Sequence, residues 1–315
     1  MRLLDCLHPE IMYEGGPEGG KLISLREMEF LSALARRKHF ARAAEDCDVS
    51  QPAFSMRIRK IEEKLDTAIV KRGNRFQGFT AEGEALVRHV RKILKDVKLL
   101  EQEFFSARGD VTGQLSVGVV PTAVIFSARA VRLLRERHPG IVVKIQTTTS
   151  LSVQLGLENG VFDVGITYGE GVSDDLMRVE DLYSETYYLL VPRRLAPRTM
   201  GEVTWAEAAE LPLSLLEPEM QNRRIMDRVF GELGLSPKVV TESSGFIAAM
   251  VFAAEGMSAT VVPEAFVEMM SSSIGDVVAL RLTQPRLEKV VSAVTLIRDP
   301  DLPAVTAMRE VFASI

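Results

Sequence analysis

The residues that could do chemistry in this sequence are concentrated in one basic block. Residues 21–98 contain 18 Lys and Arg against 11 Asp and Glu, a net charge of +7. Within the block, an amide could read an adenine edge, and hydroxyls and guanidinium groups could bind phosphates or base edges. These candidates are Gln51 for the adenine edge, and Ser50, Ser55, Arg57, Arg59 and Arg75 for phosphates or bases. The block favours a DNA-binding surface, with a solvated helix face as the alternative.

Other chemistry has weaker support. Gly15 to Lys21 matches the start of a phosphate-binding loop, but Leu22 replaces its Ser or Thr and no strand precedes it. Two cysteines, Cys6 and Cys47, and four scattered histidines form neither a disulfide framework nor a set of metal ligands. We therefore predict no catalytic site, no metal and no cofactor.

The total charge of −5 hides an uneven distribution. Residues 1–20 hold one basic residue against four acidic ones, and residues 99–315 hold 19 against 28. Asp5 and Glu10 lie where a signal peptide would have its apolar run, and no stretch has the roughly 18 apolar residues needed to cross a bilayer. We expect a cytoplasmic protein, associated with the nucleoid, that has no membrane partner.

The basic block requires helices to position its side chains. Ser24 predicts the cap of a first helix that ends near Arg37-Lys38, and residues 41–47 predict a short second helix. Ser50 and Pro52 begin a third helix whose apolar residues repeat at helical spacing, namely Phe54, Ile58, Ile61 and Leu65. The basic, glycine-bent residues 71–75 resemble the tip of a hairpin. A short helix, a tight turn and a polar helix suit a reader of the DNA major groove.

A long helix is predicted from the cap Thr80. Its apolar residues alternate steps of four and three, the spacing of a coiled-coil seam. The seam residues, which we predict to dimerise, are Leu86, Val90, Ile93, Val97, Leu100 and Phe104. A helix that faces the core of a single domain is the alternative.

Beyond residue 110 the pattern changes to alternating strands and helices. Strands are predicted at 115–120, 141–146, 164–167, 213–216, 239–241, 259–262 and 290–297, and helices at 123–138, 150–159, 221–233, 245–255 and after the last strand. A crossing between the two halves of this pattern is predicted near residues 187–191. This alternation predicts a parallel α/β sheet in two similar lobes. A ligand would then bind in the cleft between the lobes.

Four runs in the basic block carry a family resemblance: Phe40-Ala41-Arg42-Ala43-Ala44, residues 49–55, residues 58–62 and residues 79–83. Over residues 25–94 the chain resembles the winged helix-turn-helix of LysR-type transcriptional regulators, and residues 113–297 are similar to the effector domain of that family. The resemblance implies an α/β chain with an N-terminal winged helix-turn-helix, a long linker helix and a C-terminal two-lobed effector domain like type 2 periplasmic binding proteins. The expected divisions are a flexible extension at 1–23, a DNA-binding domain at 24–80, a linker helix at 81–109 and an effector domain at 110–315.

The resemblance also implies site residues. Gln51, Pro52, Ser55 and Arg59 match the recognition helix of the family, and Arg72, Asn74 and Arg75 match its wing. The effector-pocket positions hold Thr122, Thr149, Ser150, Tyr168, Asn222, Arg223 and Ser243. Hydroxyls and N–H groups at helix N-termini, together with an arginine, suit a small carboxylate or another anion. The alternatives are that Ser150 and Ser243 are helix caps and that Arg223 is a surface residue.

These expectations describe a transcriptional regulator that binds promoter DNA. It would form a homo-oligomer, a dimer of dimers, and a small anionic metabolite would change how its paired DNA-binding domains sit on the operator. A solute-binding protein without a DNA role is the alternative from another class, and an enzyme on the same fold is the third possibility. The solute-binding alternative would lack the basic block and would need an export signal.

Overall fold

The computed structural model describes residues 22–71, 73, 76–106, 111–172, 175–197, 201–270, 276–298 and 300–315. The chain folds as two compact units. The first comes from residues before 111, and the second comprises Val111–Glu158 and Phe162–Ile315.

The described residues of the first unit form four helices: α1 (Leu25–Arg37), α2 (Phe40–Asp46), α3 (Gln51–Leu65) and α4 (Ala81–Ser106). The predicted caps are confirmed. Ser24 forms a capping box with Glu27, and the Ser50 and Thr80 hydroxyls accept the N–H groups of Ala53 and Gly83. Each cap satisfies one of the free N–H groups that every helix N-terminus exposes.

One apolar core holds these helices together. Its largest members come from α1 and α3, the two helices whose apolar residues repeat at helical spacing. The Phe30 and Phe54 rings pack 5.1 Å apart, and Phe40, Phe76 and Phe79 extend this aromatic contact toward the hairpin. The recognition helix is therefore fixed by its buried face, while its polar face remains exposed.

The predicted hairpin is confirmed at its base. Val70 and Phe79 form an antiparallel bridge, and the Lys71 N–H donates to the Gly78 carbonyl at 3.0 Å. Gly83 lies so close to the Ile69 carbonyl that a Cβ would collide with it. The hairpin base is thus packed tightly against the start of α4.

In the second unit, ten strands lie within the described ranges: β1 (Gly113–Val119), β2 (Ile141–Thr147), β3 (Val164–Tyr168), β4 (Met177–Pro192), β5 (Glu202–Thr204), β6 (Pro212–Leu216), β7 (Lys238–Ser243), β8 (Thr260–Pro263), β9 (Val277–Thr283) and β10 (Glu288–Leu296). Its helices are α5 (Val124–Arg137), α6 (Ser150–Glu158), α7 (Trp205–Ala209), α8 (Gln221–Glu232), α9 (Phe246–Ala254), α10 (Glu264–Met270) and α11 (Pro303–Phe312), and a 3-10 turn (Pro121–Ala123) precedes α5. One sheet has the order β2-β1-β3-β10-β4-β9-β5, with β8 also paired to β4, and β6 and β7 form a second sheet.

The prediction of a parallel sheet is wrong in part. Strands β1, β2 and β3 are parallel, as are β6 and β7, but β10 runs antiparallel to both β3 and β4, and β4 runs antiparallel to β8 and β9. The strand β10 inserts between β3 and β4 although it lies more than 100 residues further along the chain. A local hydrophobic pattern carries no information about such a distant pairing.

The 16-residue strand β4 joins the two lobes. Its residues 177–186 pair with β10 in the first lobe, built from β1–β3, β10, α5, α6 and α11. Its residues 187–192 pair with β8 and β9 in the second lobe, built from β5–β9 and α7–α10. In the part of the chain that the structure describes, no helix is long and apolar enough to cross a membrane.

Candidate DNA interface and effector site

The polar face of α3 lines a groove of about 810 Å³ in the first unit. Gln51, Ser55 and Arg59 lie on this groove, four residues apart and therefore on one side of the helix. Lys71 and Gly73 of the hairpin line it as well. The structure thus brings three of the predicted DNA contacts together beside the hairpin.

The remaining predicted DNA residues lie elsewhere. Arg57 is exposed, but it is two residues from Arg59 and therefore points about 200° away around the helix. Ser50 and Pro52 form the first turn of α3, where the Ser50 hydroxyl accepts the Ala53 N–H at 3.4 Å. Three predicted wing contacts lie outside the described residues: Arg72, Asn74 and Arg75.

Glu62 connects the recognition helix to the hairpin, a role that the sequence reasoning missed. Its Oε1 accepts the backbone N–H groups of Ile69 at 2.8 Å and Val70 at 2.9 Å. Both residues are buried, so their N–H groups need an acceptor within the protein. The Glu62 carboxylate therefore fixes the position of the wing relative to α3.

An ion pair fixes α1 against the end of α2. The Asp46 carboxylate accepts the Arg37 guanidinium through two bonds, at 2.9 and 2.6 Å, and the Arg36 guanidinium at 2.6 Å. The hydrogen bond from Arg37 is the largest influence on Asp46, and together the two arginines lower the pKa of Asp46 to about 2. Cys47 lies next to it in the core, where burial raises the pKa of its thiol.

The predicted seam on α4 divides into two parts. Val90 is buried in the core of the first unit and Leu86 packs against that core, so these two residues are occupied within one chain. Further along, Ile93, Leu100 and Phe104 are 40, 67 and 50% exposed, and Val97 is half-buried. The C-terminal part of the seam is therefore the part that is exposed.

Three of the predicted effector residues meet in the second unit. Thr122 follows β1 and Tyr168 ends β3 in the first lobe, whereas Asn222 begins α8 in the second lobe. The Tyr168 hydroxyl lies 3.2 Å from the Thr122 hydroxyl, and the Asn222 side chain also faces it. These residues therefore join the two lobes, as the cleft prediction requires.

A buried carboxyl group, which the sequence reasoning missed, lies at the centre of this cluster. Glu185 of β4 accepts hydrogen bonds at Oε2 from Tyr168 at 2.9 Å and from Tyr187 at 3.1 Å, and at Oε1 from Tyr183 at 3.4 Å. Glu185 is 3% exposed. Burial raises its pKa, and the hydroxyls around it oppose that effect only in part. The alternation of Tyr183, Glu185 and Tyr187 on one face of a strand was the available signal.

The other predicted effector residues have different surroundings. Thr149 caps α6, since its hydroxyl accepts the Ser152 N–H at 3.1 Å. Ser150 is not the cap, and its buried hydroxyl has no hydrogen-bond partner among the described residues. Ser243 ends β7 and donates to the Gly245 carbonyl at 3.0 Å. The capping alternative therefore holds for neither serine.

Arg223 is engaged by groups of its own lobe. Its guanidinium donates to Asp227 at 2.9 Å, and to Glu242 and the Leu216 carbonyl at 2.8 Å each. The side chain is 11% exposed. An anion would have to compete with two carboxylates for this guanidinium, so the predicted role of Arg223 as an anion clamp stays a prediction.

A winged helix-turn-helix with an open polar recognition face, joined to a two-lobed α/β unit, defines a DNA-binding regulator with an effector domain. Comparisons with known proteins specify the family. Residues 25–84 match the model of the bacterial regulatory helix-turn-helix protein, lysR family, and residues 108–314 match the LysR substrate binding domain. The chain belongs to the LysR family of transcriptional regulators, which are not enzymes.

Two of the curated relatives are bacterial regulators. The chain is 30% identical over 195 residues to the hydrogen peroxide-inducible genes activator of Haemophilus influenzae, a match that covers 62% of each chain. It is 26% identical over 245 residues to the HTH-type transcriptional regulator AlsR of Bacillus subtilis, covering 76% of this chain and 80% of that protein. The first match thus spans less than two thirds of the relative's length.

Solved structures show the same fold. A cysteine-to-aspartate variant of full-length OxyR from Pseudomonas aeruginosa matches with a TM-score of 0.69 and 22% identity, covering 93% of this chain and 98% of that one. CbnR, a LysR family regulator that has also been solved with its target DNA, matches with a TM-score of 0.66 and 20% identity, covering 93% of this chain and 99% of that one. At these identities the likeness concerns the fold.

Proposed function

We propose that this regulator reads promoter DNA with α3 and the wing and responds to a small anionic metabolite bound between the lobes of its C-terminal domain. The observation that carries the DNA assignment is the groove that Gln51, Ser55 and Arg59 share with Lys71. The major groove is about 12 Å wide and accepts one α-helix. In this arrangement α3 enters the major groove, and Arg72 and Arg75 of the wing contact phosphates. Arg57, about 200° around the helix from Arg59, does not face this groove.

The proposed roles of the three segments follow the predicted domain boundaries. Residues 24–80 read DNA, residues 81–109 form the linker helix, and residues 110–315 bind the effector. Because the target is promoter DNA, we place the protein in the cytoplasm on the nucleoid. The helix-turn-helix match at residues 25–84 favours this assignment over a solute-binding protein without a DNA role.

Exposed apolar surface supports assembly of several copies. Ile93 and Leu100 on α4 are exposed, and a coiled-coil seam requires a partner helix. The second unit exposes further apolar side chains on the edge strands β2 and β7 and on α9, namely Val142, Ile145, Val240, Ile247 and Val251. Exposed apolar side chains of this kind are compatible with interaction sites. We propose a homodimer through α4, and pairing of such dimers through the second unit.

The cleft between the lobes is the proposed effector site. Thr122 and Tyr168 belong to the first lobe and Asn222 to the second, so a ligand that contacts both lobes stabilises one arrangement over another. A coupling free energy of about 1 to 3 kcal/mol is sufficient for such a switch. The anion would contact the N-termini of helices such as α6, where the Ser150 hydroxyl lacks a partner.

The peroxide response named for some relatives is not proposed for this chain. Its two cysteines are Cys6 and Cys47, and neither lies in residues 108–314. Cys47 is buried in the core of the first unit, and its raised pKa disfavours the reactive thiolate.

The DNA assignment can be tested with Arg59→Ala in the full-length protein. We expect binding to the DNA upstream of its own gene to weaken by about 10- to 100-fold, because a specific arginine contact contributes roughly 1 to 3 kcal/mol. Lys60→Ala is the matched control, since Lys60 is an exposed cation on the same helix but lies outside the groove. Equal losses in the two variants, with unchanged thermal unfolding, would count against α3 as the reading helix.

A further inference from the structure

Glu185 is a buried acid that accepts hydrogen bonds from hydroxyl groups, and the cation opposite it on β10, Lys289, donates instead to Glu170 at 2.7 Å. The side chains that face it are the hydroxyls of Thr122, Tyr168, Tyr183 and Tyr187. Among the described residues, none of the ion pairs includes Glu185. A buried carboxylate without a cation is costly, because three or four hydroxyl dipoles replace only part of its lost hydration.

Two groups in the same cluster retain hydrogen-bonding capacity. The Asn222 amide nitrogen is buried, in a residue that is 5% exposed, and has no hydrogen-bond partner among the described residues. Among the described residues, Glu185 Oε1 accepts a long 3.4 Å bond from Tyr183 and Oε2 accepts two shorter ones, while the Thr122 hydroxyl also faces the carboxylate. Buried polar groups in native proteins are nearly always paired, so an unpaired donor and a weakly paired acceptor together indicate a missing ligand.

The position of the cluster also suits a ligand. Glu185 lies where β4 passes from its pairing with β10 to its pairing with β8 and β9, and therefore between the lobes. A group bound to Glu185 and Asn222 would contact the connecting strand and the second lobe at once. Such a contact would couple the occupancy of the site to the arrangement of the lobes.

We propose that the effector of this regulator carries a protonated amine, and that Glu185 binds this ammonium group while Asn222 donates to an oxygen of the same molecule. The inference rests on the proposed effector cleft and adds the chemical class of the ligand. It is compatible with an anionic group at the helix N-termini, since an amino acid carries both charges. Arg223, already engaged by Asp227 and Glu242, is not needed in this arrangement.

Matched pairs of small molecules that differ in the amine provide the test. The amine members are L-alanine, L-glutamate, L-lysine and putrescine, and the amine-free members are L-lactate, glutarate, hexanoate and 1,4-butanediol. Each is added to the full-length protein, and thermal unfolding is followed through Trp205, the single tryptophan, which is buried in the second unit. We expect at least one amine member to raise the unfolding midpoint by several degrees and its partner to leave it unchanged.

Variants then locate the amine. Glu185→Gln keeps the size of the side chain and removes its charge, so the affinity for the active amine should fall at least tenfold by calorimetry. Glu264→Gln is the control, because Glu264 also accepts hydrogen bonds from a threonine and a tyrosine, Thr186 at 2.6 Å and Tyr188 at 3.2 Å, but is exposed. We expect Glu264→Gln to bind the amine like the wild type. The comparison of matched pairs on the wild type requires no variant and stands even where Glu185→Gln fails to fold.

The outcomes separate this inference from the proposed function. Stabilisation by amine-free members alone, no stabilisation by any amine member, or equal amine affinity in wild type and Glu185→Gln would each overturn the inference. Stabilisation by a carboxylate that lacks an amine would leave the proposed anionic effector standing. Failure of the wild type to bind the upstream DNA would refute the proposed DNA-binding function, and this result is separate from the ligand tests.

Discussion

Removal of the Glu62 carboxylate should release the wing from the recognition helix. In Glu62→Ala the buried N–H groups of Ile69 and Val70 lose their acceptor, which lies 2.8 and 2.9 Å away in the wild type. A hydrogen bond to a charged group contributes about 1.5 to 3 kcal/mol. Because the two hydrogen bonds share one oxygen, we take their joint contribution as about 2 to 4 kcal/mol. Loss of this contribution shifts the equilibrium for local opening of the wing by roughly 30- to 1,000-fold.

Amide hydrogen exchange measures this opening directly. In the full-length protein, the amides of Ile69 and Val70 should exchange faster by that factor in Glu62→Ala, and amides in the second unit should not change. Glu63→Ala is the matched control, because Glu63 is an exposed neighbour on the same helix. Exchange at these two amides within threefold of the wild type would show that the Glu62 contacts do not hold the wing.

Two further predictions concern the ion pair on α1 and the seam on α4. Above pH 4 the Asp46 carboxylate with its pKa of about 2 stabilises the fold, and this stability is lost as the pH falls from about 4 to 2. Asp46→Asn should therefore lower the free energy of unfolding in urea by about 1 kcal/mol at pH 7 and by much less at pH 2. The expected loss at pH 7 is smaller than the full pKa shift would give, because the side chains of Arg36 and Arg37 are 47 and 46% exposed. An equal cost at both pH values would refute the charge argument. Leu100→Glu should shift the oligomer to smaller species in light scattering, since burial of a leucine contributes about 1.5 to 3 kcal/mol, whereas Lys92→Glu off the seam should not. An unchanged assembly in Leu100→Glu would remove this residue from the interface.

Helix caps and apolar spacing, which depend on neighbouring residues, allowed the helices of the first unit to be predicted from the sequence. Ser24, Ser50 and Thr80 mark helix starts because a hydroxyl at the cap satisfies a free N–H group, and this chemistry depends on a few neighbouring residues. The apolar spacing of Phe54, Ile58 and Ile61 likewise defines the buried face of α3. The predicted starts of α1 and α3 and the predicted end of α1 agree with the structure because caps and spacing are local.

The sheet and the effector cluster depend on distant pairings. The insertion of β10 between β3 and β4 was invisible to a reading of local periodicity, and the parallel prediction failed there. Glu185 was missed for the same reason, since its partners Thr122 and Tyr168 lie 63 and 17 residues away along the chain. From the sequence alone, a charged residue in a strand is predicted to be exposed, and only the tertiary structure shows that Glu185 is buried.

The apolar seam on α4 shows a third limit of structure prediction from the sequence. Its spacing is regular from Leu86 to Phe104, but the structure buries Val90 in its own domain and exposes Leu100. Apolar residues at helical spacing predict an apolar face of the helix, but they do not predict whether the same chain or a second copy covers that face.

The salt dependence of DNA binding is the sharpest test of promoter binding by α3 and the wing. A dimer would bring about six proposed cations to the DNA, from Arg59, Arg72 and Arg75 of each copy. Affinity for the DNA upstream of the gene should then fall by roughly 10³- to 10⁵-fold between 50 and 200 mM salt, and Arg59→Ala should reduce the slope of log K against log salt by about 2. A scrambled fragment should bind at least about 10³-fold more weakly than the upstream DNA at the same salt concentration. Binding that does not depend on salt, or equal affinity for the upstream and scrambled fragments, would contradict the assignment.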